Sequence, residues 1–133
     1  MTTPEVITRY FDLINAERWE GFEELWTPDA TVVTVGAPLR QGHAEILSHY
    51  RKLFRAFTKH LDTPTRVLPC GDAVTVEVRF DGMVPDGRTV SFDAVDVFDL
   101  RGDRICRLSN WYDLVHVRRM LAGDDAATAI RKS

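Results

Sequence analysis

The chain has 133 residues and a mass of 15.2 kDa, the length of one domain able to enclose a core. Hydrophobic residues at 44% and charged residues at 28% exclude a disordered or fibrous chain. The net charge of -3, with Lys and Arg spread along the sequence, leaves no basic patch, so neither nucleic acid nor a membrane surface is expected as a partner.

Thr3-Pro4-Glu5 opens a helix, with Thr3 as N-cap and Pro4 at the first helical position. Val6, Tyr10, Leu13 and Ile14 share its apolar face. Asn15 to Arg18 breaks the pattern, and a second short helix is predicted from Trp19, Phe22, Leu25 and Trp26, ended by Thr27-Pro28-Asp29. The β-branched run Ala30 to Gly36 reads as a strand, and residues 43–57 as the third and longest helix, striped by Ile46, Leu47, Tyr50, Leu53, Phe54 and Phe57. The N-terminus has no leader pattern and no stretch reaches membrane-spanning length, which makes the cytoplasm the expected location.

Strands are predicted over residues 63–68 and 73–84, the second with Val74, Val76, Val78 and Phe80 inward and Glu77, Arg79 and Asp81 outward. Pro85-Asp86-Gly87 closes a hairpin into a strand from Val90 to Leu100, and Arg101-Gly102-Asp103 turns into a last strand from Arg104 to Asp113. A helical turn over 114–121 and a mobile tail over 122–133 complete one domain, residues 1–121. Helices first and hairpin-linked strands afterwards make an α+β fold with a curved, mostly antiparallel sheet wrapped on three N-terminal helices.

Alternation puts Asp96 on the face of Phe92, Ala94, Phe98 and Leu100. A carboxyl among apolar groups must be paired, hydrogen-bonded or protonated, so Asp96 marks either a pocket or a structural carboxylate. Tyr10 is either a pocket residue or a core tyrosine whose hydroxyl reaches the surface. Asn110 and Tyr112 share a strand face and either orient a ligand or satisfy a neighbour. Cys70 and Cys106 lack motif spacing and read as reduced, partly buried thiols. No His and carboxylate set has metal-ligand spacing, so no metal is expected; His43 reads as a surface residue, and His49 and His60 as imidazoles able to titrate near neutrality.

The segments ITRYFDLINAERWEGFEELWTPDATV, QGHAEILSHYRKLF, AVDVFDLRGDRI and NWYD resemble the NTF2-like superfamily, in particular its ketosteroid isomerase and SnoaL-like polyketide cyclase branches. The resemblance implies a cone-shaped fold, a hydrophobic pocket for a small apolar metabolite, and a homodimer through the outer sheet face, where Trp111 would lie. It places Tyr10 and Asp96 as oxyanion-stabilising donors, with Tyr50 supporting Tyr10 and Asn110 and Tyr112 positioning substrate. Thr34 stands where the isomerases carry their proton-shuttling carboxylate, and a Thr hydroxyl is no base near neutral pH. The implied activity is cofactor-independent acid/base chemistry through an enolate: isomerisation, cyclisation or dehydration of a carbonyl compound. A binding module without catalysis is the alternative that Thr34 favours. Epoxide opening like that of limonene-epoxide hydrolase is a further one, in which Asn110 replaces the water-activating Asp.

Overall fold

A computed structural model describes residues 2–123. It orders the elements as α1 (Glu5–Ala16), a 3-10 turn (Phe22–Leu25), β1 (Trp26–Thr34), β2 (Arg40–Gln41), α2 (Gly42–Arg55), β3 (Lys59–Cys70), β4 (Ala73–Met83), β5 (Thr89–Arg101), β6 (Arg104–Tyr112) and α3 (Leu114–Leu121). The strands form one curved six-stranded sheet in the order β2-β1-β6-β5-β4-β3. All neighbours are antiparallel except β1 and β6, which run parallel with Val32 beside Leu108 and Thr34 beside Asn110. This is the expected α+β architecture, with a mixed sheet. No helix among the described residues is long and apolar enough to cross a membrane.

α1 buries Val6, Ile7, Tyr10, Phe11 and Ile14, the three-and-four spacing of a helix with one face on a core. Pro4, not Thr3, is the N-cap residue, and no side chain caps this end. The helix stops where Glu17 adopts the left-handed conformation, φ 49°, which a residue with a Cβ rarely takes. Its carboxylate is engaged there, with Oε2 at 3.1 Å from Nε2 of the buried His60. Rings of Tyr10, Phe11, Phe22, Trp26, Tyr50 and Phe98 pack mostly edge to face, Tyr10 against Phe98 at 5.0 Å between centroids. Each such ring contributes about 2–3 kcal/mol of burial, so this cluster is the main tie between helices and sheet.

The middle helix expected around Trp19 to Trp26 is only the 3-10 turn, because Trp26 already belongs to β1. Phe22, Leu25 and Trp26 are all buried at a spacing that suits a helix equally well. Pro28 sits within β1, in the interval between the Trp26–Ile105 and Thr31–Arg107 pairs where the register shifts. A residue that cannot donate a backbone bond is tolerated in such an irregularity. β3 begins at Lys59, well before the predicted start at Thr63. Cys70 is exposed rather than partly buried, and both thiols are free.

α3 is capped by Asp113, whose Oδ1 accepts from the His116 amide at 3.0 Å. Its far end is held from the β4–β5 hairpin, where Arg88 donates to the carbonyls of Met120 at 2.8 Å and Leu121 at 3.1 Å. Ala122 and Gly123 close this helix; the remainder of the predicted tail, 124–133, lies outside the described residues.

Candidate active site

Between the concave face of the sheet and the helices lies a cavity of about 390 Å³. Tyr10 from α1, Thr34 from β1, Tyr50 from α2, Asp96 from β5, and Asn110 and Tyr112 from β6 all line it. Its walls are otherwise largely apolar, with Val32, Val78, Phe80, Phe92 and Leu108 from four strands. Exposed Lys52 and Leu53 of α2 and Arg118 and Leu121 of α3 also border it, so its rim runs between these two helices.

Pairing explains how the polar groups meet. Asp96 and Asn110 are direct cross-strand partners on adjacent antiparallel strands, so their side chains leave the sheet on the same side. The Asn110 amide Nδ2 donates to Asp96 Oδ1 in a short hydrogen bond. Asp96 is 5% exposed, and burial pushes its carboxyl up to about 7, a rise that the Asn110 bond opposes. The Tyr10 and Tyr50 hydroxyls are 2.7 Å apart and bonded to each other. Burial, first, holds both phenols well above their ordinary range, and the nearby carboxyl charges act in the same direction. Tyr112, half-buried, is raised by burial and eased by Arg118.

The histidines divide. His49 lines the cavity, and burial, aided by Arg40, pushes its ring down to about 4, so it is neutral near pH 7. His60 is not among the lining residues; its ring stacks on Phe54 at 4.2 Å and faces Glu17. His43 is half-buried rather than on the surface, and its Nε2 lies 3.0 Å from the Trp26 carbonyl. Among the described residues no group of three His, Cys, Asp or Glu is arranged to hold a metal ion.

One lining residue escapes the sequence reading: Asp62, on β3. Burial first and the Asp96 charge second push its carboxyl up to about 7, and its Oδ2 is buried without a hydrogen-bond partner. In the run His60-Leu61-Asp62 alternation is inverted: Leu61 is 50% exposed while the polar neighbours turn inward. A search for apolar faces therefore orients this segment backwards, and only the unusual alternation itself could have flagged it.

Residues 7–108 match the family model of the SnoaL-like domain. Among solved structures, a hypothetical protein with a ketosteroid isomerase-like fold from Catenulispora acidiphila, in complex with trimethylamine, superposes with a TM-score of 0.83 at 20% identity, covering 95% of this chain and 98% of that one. TerC co-crystallised with polyporic acid gives 0.80 at 19% identity over 89% and 96%. A candidate polyketide cyclase from Sinorhizobium meliloti gives 0.71 at 27% identity over 82% and 95%. No curated protein matches the chain.

Proposed function

We propose that this chain, which belongs to the SnoaL-like domain family, is a cofactor-independent enzyme acting by acid/base chemistry on an apolar, carbonyl-bearing metabolite, through isomerisation, cyclisation or dehydration via an enolate. The observation that carries this reading is the pairing, in one apolar cavity, of the Tyr10 hydroxyl with a carboxyl, Asp96, held near half-protonation at neutral pH. With the Tyr50 hydroxyl donating to the Tyr10 oxygen, the Tyr10 proton is free to point at a substrate carbonyl. Because Asp96 Oδ1 accepts from Asn110, a protonated Asp96 carries its proton on Oδ2 and can donate it. Removal of a proton beside the carbonyl moves negative charge onto its oxygen. Donors aimed at that oxygen in a site poor in water stabilise the charged state more than the neutral ketone, and this difference lowers the barrier.

The planar phenol 2-naphthol, an aromatic counterpart of the enol of 2-tetralone, tests this. Its fluorescence should show it bound with the hydroxyl shifted toward the ionised form. Asp96→Ala should weaken binding by about 1–3 kcal/mol, the scale of a lost hydrogen bond to a charged group. Absence of binding by the wild type, or equal binding by the variant, would remove Tyr10 and Asp96 from the chemistry.

Thr34, on the cavity wall where a carboxylate would serve as base, favours a second reading as a binding module without turnover. Such a module would bind 2-naphthol without exchanging the α-protons of 2-tetralone. We also propose a homodimer through the outer sheet face, where Trp111 is 46% exposed directly opposite Val95.

A further inference from the structure

Enolate chemistry needs a proton acceptor, and the β1 position offers only Thr34. We propose that Asp62 is that acceptor: a catalytic base on β3 that takes the α-proton of a ketone held by Tyr10 and Asp96 and returns it to the same or another carbon. The proposal rests on the reading of Tyr10 and Asp96 given above. In the forward step the C–H bond breaks and its proton joins an Asp62 oxygen. The C–H electron pair becomes the enolate double bond, and the carbonyl π pair moves onto the oxygen facing Tyr10 and Asp96. In the return step the same proton passes to carbon and Asp62 is again a carboxylate, so no co-reactant is consumed.

Four features support the assignment. Asp62 lines the same cavity as Tyr10 and Asp96. Its backbone is clipped at two points by Asn15, which donates from Nδ2 to the Asp62 carbonyl at 2.9 Å and accepts at Oδ1 from the Asp62 amide at 2.8 Å. Asn15 lies on the helix that carries Tyr10, so α1 sets the donor and the base relative to each other. Asp62 also stands opposite Phe80, itself opposite Phe92, and these two rings lie 5.0 Å apart as an apolar wall beside the carboxyl. Finally, no cation among the described residues pairs with Asp62, and its buried Oδ2 has no donor, whereas a structural carboxylate in such a place is ordinarily bonded by amides or an Arg.

The pair also divides the roles. Two carboxyls in one low-dielectric cavity hold one proton between them near neutrality, since ionising both is opposed by their mutual repulsion. The reactive arrangement is the one with that proton on Asp96 and Asp62 ionised, reached against the Asn110 bond, which favours the ionised form of Asp96. The other titratable or charged groups around the cavity are Tyr10, Tyr50, Tyr112, the neutral His49 and, at the rim, Lys52 and Arg118; His60, two residues from Asp62, is occupied by Glu17.

The test is hydrogen–deuterium exchange of the α-protons of 2-tetralone in D2O, followed by NMR, alongside 2-naphthol binding. Wild type should accelerate exchange over buffer, with a bell-shaped pH profile centred near neutrality as the pair passes through its singly protonated state. Asp62→Asn should lower exchange at least a hundredfold while still binding 2-naphthol, and Asp62→Glu should recover part of it. Exchange by Asp62→Asn at the wild-type rate would overturn the assignment and leave the proposed function standing. A flat profile between about pH 5 and pH 9 would do the same, a readout that needs no variant to fold, whereas wild-type binding of 2-naphthol without exchange would overturn the base and the enzymatic reading together, in favour of the binding module. Failure of wild type to bind 2-naphthol would instead strike the function itself, and the base with it.

Discussion

Replacing Asp96 by Asn should make the protein more stable in mild alkali and leave it nearly unchanged in mild acid. Burial holds the folded-state carboxyl at about 7 against an ordinary value of 3.8. A carboxyl raised in this way binds its proton more tightly in the folded chain, so its stabilising contribution is present at low pH and fades as the pH rises toward 7. For one such group the loss between about pH 5 and pH 8 is about 2–3 kcal/mol. Asp62 acts in the same direction. His49 acts in the opposite one, since a ring kept neutral down to about 4 in the fold costs stability as the pH falls below 6.5. The wild-type curve is therefore a partial cancellation, and the difference between variant and wild type isolates Asp96. Asn keeps the shape and can present its carbonyl to Asn110, so near pH 5 the two proteins should agree within about 1 kcal/mol. Near pH 8 the variant should lead by about 2–3 kcal/mol, increased further by the relief of Asp62. Urea unfolding at several pH values, followed by the fluorescence of the buried Trp26, measures this. A constant difference across pH would refute the claim that burial, rather than hydrogen bonding, governs this carboxyl.

Tyr10→Phe should cost about 1 kcal/mol in urea unfolding, through loss of the hydroxyl pair with Tyr50, and should weaken 2-naphthol binding more than Tyr112→Phe does. Gly36→Ala should lower the melting temperature, because a Cβ there collides with Leu114 at the start of α3 and the φ of +73° disfavours any side chain; an unchanged melting curve would show that α3 shifts freely. Arg88→Ala should raise amide exchange over Val117 to Leu121 by about tenfold, while protection in β4 stays the same. In sedimentation the wild type should run as a dimer at micromolar concentration and Trp111→Glu as a folded monomer; a wild-type monomer would rule out the outer-face interface.

Most strands and both long helices are legible in the sequence because one face of each is apolar with a clean period, as in Val74, Val76, Val78 and Phe80. Trp26 misleads because an apolar spacing of three and four residues is equally compatible with a turn that runs into a buried strand. Asp96 stands out as the lone charge in an apolar row. Tyr10, Asn110 and Tyr112 are legible from their faces only as one of two readings, Tyr50 and Thr34 enter through family likeness alone, and the structure brings all five to one cavity. Asp62 has neither signal. Its inward direction is set by pairing with β4 and by the Asn15 clip, contacts made across the chain that override local hydrophobic order.

The parallel contact of β1 with β6 also governs the order in which the molecule can be assembled. Thr34 meets Asn110 only once the long stretch of chain between them has been made, so closure of a long loop must precede the last ladder of the sheet. Until Arg104–Tyr112 is available, β5 has an open edge on the side later taken by β6, and β1 has no sheet to join. The cavity thus cannot close in stages during synthesis: its α1 wall emerges before every strand of the sheet and its β6 wall after all the other strands. Folding should be slow for a chain of this length, in the millisecond-to-second range typical of sheets built from distant partners. A chain released before Tyr112 would hold Tyr10 and Asp96 but no pocket around them, and would expose β5 to pairing with other incomplete chains.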